Sequence, residues 1–288
     1  MGKPLISVLV PCYNRERYIE EALLSILEQD YPNFELIVVD DGSQDASVER
    51  IEALRQRFDF QLIRQQNQGV SAALNTALSH ARGAYIATPD SDDVMLPGRL
   101  SLQAGYLDAH PEVGCVGGKV IYVDEQGNRL KAEKAKGIRR YGFDELLASA
   151  HAIGAPVAMY RREALDRAGG YDPAIRIQDF QMTLKVAHLG YCVDVLPDHV
   201  TLYRRHTGNM SKTAYKRQLD YDLMAIEPYR KHASYAQGLT CVINKALKRS
   251  VVCDKGYALS LLLRLPPWRW NSVTLRRLRH LLFKFHEQ

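Results

Sequence analysis

Three carboxylates, Asp90, Asp92 and Asp93, follow a short apolar run that begins at Ala84. Carboxylates at the end of a buried strand repel one another unless a cation or a set of hydrogen-bond donors lies among them, and hard divalent cations prefer oxygen ligands. The alternative is a solvated turn that caps the next helix, since Asp and Ser are common turn residues. The surroundings of the cluster have to decide between the two.

Two further polar clusters also follow apolar runs that are rich in Val and Ile. The run Leu5–Val10 leads into Pro11–Asn14, and the run Phe34–Val39 leads into Asp40–Ser43. A third run, Phe60–Ile63, precedes a loop of Gln, Asn and Gly. Runs of this length and composition, each stopped by turn residues, predict buried strands.

Apolar residues at helical spacing fill the intervals between these strands. The first predicted helix has Asn14 as its N-cap, the second runs from about 46 to 57 behind a cap at Asp45, and the third runs from about 70 to 81. This alternation predicts an α/β fold with a mostly parallel sheet and helices on both faces. In such sheets ligands bind outside the carboxyl ends of the strands. The three polar clusters should therefore meet at one edge, which favours a single nucleotide or phosphate site over independent turns.

The middle of the chain predicts a less regular continuation of this fold. Strands are expected at 113–123 and 157–160, and a short helix at 162–168 is stopped by two glycines. Gln178 and Asp179 then lead into a helix that ends at Gly190.

The order and spacing of several motifs resemble the family 2 glycosyltransferases, which have the Rossmann-like GT-A fold. The resemblance covers about residues 5–212. It rests on the segments 7–14, 38–43, 90–93, 169–172, 178–179 and 204–211, together with Asn67, Gly69 and Asn75. Two positions depart from the family pattern: Pro89 stands where an apolar residue is usual, and Gln178 stands where Glu is common.

The resemblance implies a nucleotide diphosphate sugar as donor. Asp40 would accept a hydrogen bond from the pyrimidine of a UDP- or dTDP-sugar, and both bases satisfy it; a helix-initiating Asx turn is the alternative role. Asp90 would contact the ribose. The other residues expected to contact the donor are Pro11, Tyr13, Asn14, Asn67, Gly69 and Arg204.

The resemblance also implies a Mg or Mn ion held by Asp92, Asp93 and His206, with the choice between Asp92 and Asp93 as inner ligand left open. Such an ion neutralises charge on the departing nucleoside diphosphate. Asp179 is the predicted catalytic base, because an inverting displacement needs one base for the acceptor hydroxyl. The alternative is that Asp179 only caps the helix after it.

The last fifty residues lie outside the resemblance and carry the basic charge of the chain. The chain of 288 residues has a net charge of +5, but 240–288 contains ten Lys and Arg against two acidic residues, which leaves residues 1–239 at −3. Arg mixed with Leu, Phe and Trp is typical of an interfacial helix on anionic lipid. A helical cap with a solvated basic face is the alternative.

The expected organisation is a GT-A domain at 1–239, with a nucleotide-binding half (1–110) and an acceptor half (111–239), followed by a basic amphipathic helical extension at 240–288. No signal-like or membrane-spanning stretch is visible, so a cytoplasmic protein peripheral on the inner face of the cytoplasmic membrane is expected. Five widely spaced cysteines suggest neither a disulfide framework nor a zinc site.

The predicted function is metal-dependent inverting transfer of a sugar to a glycan or lipid-linked acceptor, in lipopolysaccharide or other surface polysaccharide synthesis, with no nucleic acid as partner. Two alternatives remain. A sugar nucleotidyltransferase shares a doubly wound sheet, but no Gly-rich, Arg-containing loop follows the first strand. A catalytically inactive nucleotide-sugar-binding protein or membrane scaffold would not need Asp92, Asp93 and Asp179 together.

Overall fold

The computed structural model describes residues 2–134, 136–207 and 215–283. The chain divides into two compact units. The first unit comprises Met1–Phe143 and Ala152–His206, and the second comprises Asp144–His151 and Thr207–Gln288. The domain boundary predicted at 239 stays a prediction; that position lies inside a helix that runs from Tyr235 to Cys253. Of the predicted motif at 204–211, residues 208–211 lie outside the described residues.

The first unit begins with four parallel strands in the order β3-β2-β1-β4. Their bounds are β1 Ile6–Cys12, β2 Phe34–Asp40, β3 Gln61–Arg64 and β4 Tyr85–Ala87. Three helices connect them: α1 Ile19–Leu27, α2 Ser47–Arg55 and α3 Val70–His80.

The continuous apolar sequence of β1 follows from burial on both faces of the sheet. Ile6, Val8 and Val10 pack in one core cluster with residues of α1 and α2. Leu9 points to the opposite face, because side chains alternate along a strand, and α3 packs against β1 and β2. The prediction of a mostly parallel α/β fold with helices on both faces is therefore confirmed.

The sheet continues past β4 in the order β9-β6-β10-β5, with β7 paired to β6 and β8 to β10. Strand β9 is antiparallel to both of its neighbours, whereas β6 and β10 are parallel. The bounds are β5 Val94–Met95, β6 Val113–Val123, β7 Arg129–Ala132, β8 Arg139–Tyr141, β9 Met159–Arg161 and β10 Cys192–Arg204. The helices are α4 Arg99–Ala109, α5 Phe143–Ser149, α6 Arg162–Arg167 and α7 Gln178–His188, with a 3₁₀ helix at Ala155–Val157.

Two details near the end of β1 correct the sequence-based prediction. The strand continues through Pro11 to Cys12, because β4 pairs only as far as Val8 and leaves that side of Pro11 without a strand partner. Asn14 is not the N-cap of α1, which begins at Ile19. Instead Asn14 has a left-handed backbone (φ 53°), and its side chain bonds elsewhere.

The second unit is helical in its described residues. Its helices are α8 Tyr215–Ile226, α9 Tyr235–Cys253, α10 Lys255–Leu263 and α11 Ser272–Phe283, together with most of α5. The long α9 packs against α8, α10 and α11. Gly238 of α9 approaches the backbone of α5 so closely that a Cβ atom would lie 2.4 Å from Leu147 O. None of the described helices has the length and apolarity that crossing a bilayer requires.

Candidate functional site

The loops after β1 and β2 are tied together by hydrogen bonds. The Asp41 backbone N–H donates to Cys12 O at 2.8 Å, and the Asn14 backbone N–H donates to Ser43 Oγ at 3.0 Å. The Asn14 side chain accepts from the Gln44 N–H, which accounts for its left-handed backbone. These two predicted clusters therefore lie side by side at the carboxyl edge of the sheet.

Asp40 is almost completely buried, and one of its oxygens has no protein partner. Its Oδ2 accepts from the Ser43 N–H at 3.2 Å, whereas its Oδ1 is buried without a hydrogen bond. A buried acceptor that is left unsatisfied costs free energy, so an exception of this kind calls for an explanation. The Oδ1 atom is available to a ligand that carries an N–H donor.

Asp41, by contrast, is fully used in holding the loop after β3. Its two oxygens accept from Gln65 Nε2 and from the N–H groups of Gln68 and Gly69. This bonding places Asn67 and Gly69, two predicted donor contacts, beside the loop after β2. Sequence reasoning assigned no role to Asp41, although two adjacent acids at a strand end were a visible signal.

The carboxylates of Asp90, Asp92 and Asp93 meet after β4, with one oxygen of each within 4.8 Å of the others. Asp93 Oδ1 accepts the Arg204 backbone N–H at 2.8 Å, and its Oδ2 is buried without a hydrogen-bond partner. Asp92 Oδ2 lies 3.0 Å from both His206 Nε2 and Arg15 Nε. The solvated-turn alternative is wrong for Asp92 and Asp93, since both are buried.

The three carboxylates differ in how readily they hold charge. Burial and then the charges of Asp92 and Asp179 raise the pKa of Asp90, and burial and then the charges of Asp92 and Asp90 raise the pKa of Asp93. Burial acts in the same sense on Asp92, but the hydrogen bond from His206 and the charge of Arg15 outweigh it and lower its pKa. Two acids with raised pKa values beside a third, together with the buried and unpartnered Asp93 Oδ2, suit a hard divalent cation.

Asp179 lies in the first turn of α7, near the 3₁₀ helix Ala155–Val157. Burial raises its pKa to about 6, although a hydrogen bond from the Ala155 backbone N–H acts in the opposite direction. Its Oδ1 is buried without a partner. The helix begins one residue earlier and Ile177, at its N-cap, makes no side-chain cap, so the alternative in which Asp179 caps the helix is wrong. Its charge also contributes to the raised pKa of Asp90.

Residues 7–169 match the Glycosyl transferase family 2. The chain belongs to this family. An uncharacterized glycosyltransferase of Methanocaldococcus jannaschii is 30% identical over 244 residues, which cover 82% of each chain. The amylovoran biosynthesis glycosyltransferase AmsE of Erwinia amylovora is 28% identical over 232 residues, which cover 78% of this chain and 85% of that protein.

Solved structures show the same GT-A fold at lower identity. S. aureus TarS 1-349 in complex with UDP-GlcNAc has a TM-score of 0.65 and 19% identity, covering 98% of this chain and 93% of that one. The mannosyltransferase PcManGT from Pyrobaculum calidifontis, in complex with GDP-Man and Mn²⁺, has a TM-score of 0.60 and 23% identity, covering 98% and 86%.

In this family 2 protein, Arg204 at the end of β10 and His206 just after it have different surroundings. His206 is buried, contacts Asp92, and lies 5.0 Å from the Tyr18 ring between centroids. Arg204 is also buried, but its guanidinium donates to Glu21 Oε2, Asp92 O and Glu125 O. These bonds make Arg204 a group that shapes the carboxylate loop, whereas the sequence suggested a direct contact with the donor. Tyr13 is exposed and Pro11 is half-buried in β1.

Sequence reasoning missed two arginines of the site, Arg15 and Arg99. Arg99 is fully buried in α4 and donates to Pro156 O, Ala158 O and Thr201 Oγ1. Burial lowers its pKa to about 9, against the charges of Asp93 and Asp90. It fixes the segment whose Ala155 N–H bonds Asp179. An arginine in an amphipathic helix resembles a surface residue, so no sequence signal identified it.

Proposed function

We propose that this chain is an inverting glycosyltransferase that moves a sugar from a UDP- or dTDP-sugar to a hydroxyl of a glycan or lipid-linked acceptor. The observation that carries the proposal is Asp179. Its carboxylate has a buried oxygen without a protein partner and a pKa of about 6, and its charge acts on Asp90 of the three-carboxylate cluster. A base with a pKa near the working pH combines the required ionised form with useful proton affinity.

The donor base is assigned to the loops after β1 and β2. Asp40 Oδ1 accepts the ring N–H of the pyrimidine, and Pro11 and Tyr13 pack near the ring. Asn14, held by Gln44, and the loop at Asn67 and Gly69 complete the donor contacts. Asp90 contacts the ribose. The UDP-GlcNAc complex of TarS supports this assignment, while the GDP-Man complex of PcManGT makes guanine the base to test against it.

A Mg or Mn ion fits Asp92, Asp93 and His206. The fit rests on three clustered carboxylates and on the buried, unpartnered Oδ2 of Asp93. When bound, such an ion neutralises the negative charge of the departing nucleoside diphosphate. The hydrogen bond between His206 and Asp92 orients that carboxylate, and the Arg204 N–H fixes the rotamer of Asp93.

Asp179 takes the proton of the acceptor hydroxyl while that oxygen attacks the anomeric carbon. One C–O bond forms as the bond from the anomeric carbon to the phosphate oxygen breaks, and the electron pair leaves with the nucleoside diphosphate. A single displacement inverts the anomeric centre. The Ala155 N–H and the buried Arg99 hold the base in place.

We propose surface polysaccharide or lipopolysaccharide assembly as the setting, which the similarity to the amylovoran biosynthesis glycosyltransferase AmsE supports. We also propose peripheral attachment to an anionic membrane through 240–288. Leu275, Arg279 and Leu282 share the outward face of α11, while Thr274 and Leu281 on its other side are buried. Leu263 and Trp268 are more than 80% exposed. Exposed apolar side chains between arginines favour an anionic lipid surface.

The test is ligand-induced stabilisation, because a ligand that binds only the native state raises the unfolding temperature. UDP, dTDP and GDP are compared with and without Mn²⁺. We expect UDP or dTDP with Mn²⁺ to stabilise the protein more than GDP does. Release of UDP from UDP-sugars in the presence of an acceptor extract then measures transfer. A protein that no nucleotide diphosphate stabilises in Mn²⁺ contradicts the proposal.

A further inference from the structure

Arg15 has a backbone held by a neighbouring loop and a partly exposed side chain. Its backbone N–H donates to Ser47 Oγ at 2.7 Å, and the preceding N–H donates to Ser43 Oγ. These bonds join the loop after β1 to the loop after β2. The Arg15 side chain is 25% exposed, so its position is set at the backbone while its guanidinium can still reach solvent.

The guanidinium bridges the two halves of the site. Its Nη1 donates to Tyr13 O at 3.2 Å and Asn14 O at 3.0 Å, on the loop assigned to the donor base. Its Nε lies 3.0 Å from Asp92 Oδ2, in the carboxylate cluster. In the proposed complex the donor base lies beside the loop after β1, and the metal-bound end of the donor lies at the carboxylate cluster. The diphosphate connects these two ends and therefore lies between them. Arg15 therefore stands where the diphosphate passes.

The other two arginines that act on these carboxylates use their guanidinium groups in hydrogen bonds to the protein. Arg99 and Arg204 are 1% and 3% exposed, and each donates to several protein acceptors. The Arg15 side chain is tied less firmly to the rest of the protein, because two of its acceptors are carbonyls of its own loop. Asp92 Oδ2 is also shared with His206, so Arg15 is one of two side chains that hold this oxygen.

We propose that Arg15 is an exchangeable counter-ion of this site, which pairs with Asp92 before a divalent cation binds and with the donor diphosphate afterwards. The inference rests on the proposed function. A cation that takes Asp92 Oδ2 competes with Arg15 for the same atom, and the displaced guanidinium meets the phosphate oxygens beside it. The planar fork of Arg suits two phosphate oxygens at once, which Lys does not reproduce.

The experiment compares wild type with Arg15→Gln, Arg15→Lys and the control Arg50→Gln, whose arginine makes an exposed ion pair with Glu20. Calorimetry measures Mn²⁺ binding without nucleotide, and UDP binding in saturating Mn²⁺. Because the variant removes a competitor for Asp92 and a charged donor to the diphosphate, we expect Arg15→Gln to bind Mn²⁺ about tenfold tighter and UDP about tenfold weaker. Arg15→Lys should bind UDP with intermediate affinity, and Arg50→Gln should match wild type.

The opposite signs of the two changes separate exchange from general damage, which weakens both. Equal Mn²⁺ affinity in wild type and Arg15→Gln, or equal UDP affinity, overturns the inference. If Arg15→Gln does not fold, Arg15→Lys decides, and a UDP affinity equal to wild type overturns the inference. A wild-type protein that binds neither Mn²⁺ nor UDP overturns the proposed function instead.

Discussion

The carboxylate edge of the first unit and the helices of the second depart in opposite ways from the usual separation of charged surface and apolar interior. At the edge, Asp40, Asp93 and Asp179 are acids with a buried oxygen that no protein group satisfies. In α10 and α11 and the segment between them, large apolar side chains face outward, Leu263 and Trp268 most of all.

Both departures cost free energy in the isolated protein. Buried polar atoms without partners lose hydration, and exposed apolar surface is left in contact with water. Each cost is recovered only if a partner of complementary chemistry binds. This difference is the basis of the two proposals, in which a cation, a nucleotide and an acceptor bind the first unit and a lipid surface binds the second.

The largest effect is expected for Asp179→Asn, which tests the role of the acids that have a buried, unpartnered oxygen. General base catalysis contributes ~10²–10⁴ in rate, so we expect transfer to fall about a thousandfold while UDP affinity stays within twofold. Because the variant removes a buried charge, we expect unfolding free energy at pH 8 to rise by about 1–3 kcal/mol. Transfer assays and urea unfolding measure the two effects.

The matched control is Asp198→Asn, which alters an exposed acid of β10 and should change neither quantity. If the Asp179→Asn protein transfers sugar at the wild-type rate, Asp179 is not the base, and the alternative of a catalytically inactive scaffold has to be considered again.

The variants Asp40→Asn and Asp41→Asn differ in what the replaced acid binds. Asp40 has an oxygen without a protein partner, whereas both oxygens of Asp41 accept hydrogen bonds from the protein. For Asp40→Asn we expect UDP to bind about 30-fold weaker with little loss of stability, since a charge-assisted hydrogen bond is worth ~1.5–3 kcal/mol. For Asp41→Asn we expect unfolding free energy to fall by ~1–3 kcal/mol, because Gln68 and Gly69 lose a charged acceptor. Identical behaviour of the two variants would contradict the distinction.

The proposed membrane contact of the exposed apolar side chains is tested with the double variant Leu263→Ser/Trp268→Ser. If each side chain contributes ~1 kcal/mol by entering the interface, binding to anionic vesicles should weaken about 30-fold. Vesicle sedimentation with phosphatidylglycerol measures it. Leu130→Ser/Ile138→Ser, which changes two exposed apolar residues of the first unit, is the control. Equal sedimentation of both double variants and wild type would remove the membrane proposal.

The smallest expected effect is the pH dependence of transfer. Asp179 must be ionised to accept a proton, and with a pKa of about 6 its ionised fraction falls about tenfold between pH 7 and pH 5. Transfer should fall with it as the pH drops through 6. The same raised pKa makes the native state bind more protons than the unfolded chain between about pH 4 and 6, so this group lowers stability as the pH rises through that window. A flat rate profile from pH 5 to 7 contradicts the assignment.

The sequence predicted the strand–helix alternation and the convergence of the polar clusters well, because Val- and Ile-rich runs and the strand-end rule are local signals. It misplaced the start of α1, since Asn14 serves a contact with Gln44 that lies 30 residues away. Arg15 and Arg99 escaped notice for the same reason: what decides their roles is tertiary contact, and composition does not distinguish them from solvated arginines. Asp179 was expected just before a helix that begins at Phe180, whereas the helix begins at Gln178 and its first turn includes Asp179. The buried oxygen of Asp179 became visible only in the fold.

The bond between the Arg204 N–H and Asp93 has a kinetic consequence. Its partners are 111 residues apart, and Arg204 ends β10, which must first pair along β6. The bonds that shape the nucleotide loops join residues only about 27 to 30 apart. Contacts between distant residues close later because their loop entropy is larger. During synthesis we therefore expect the loops after β1, β2 and β3 to assemble first, and the carboxylates to reach their final geometry only when β10 has emerged and docked.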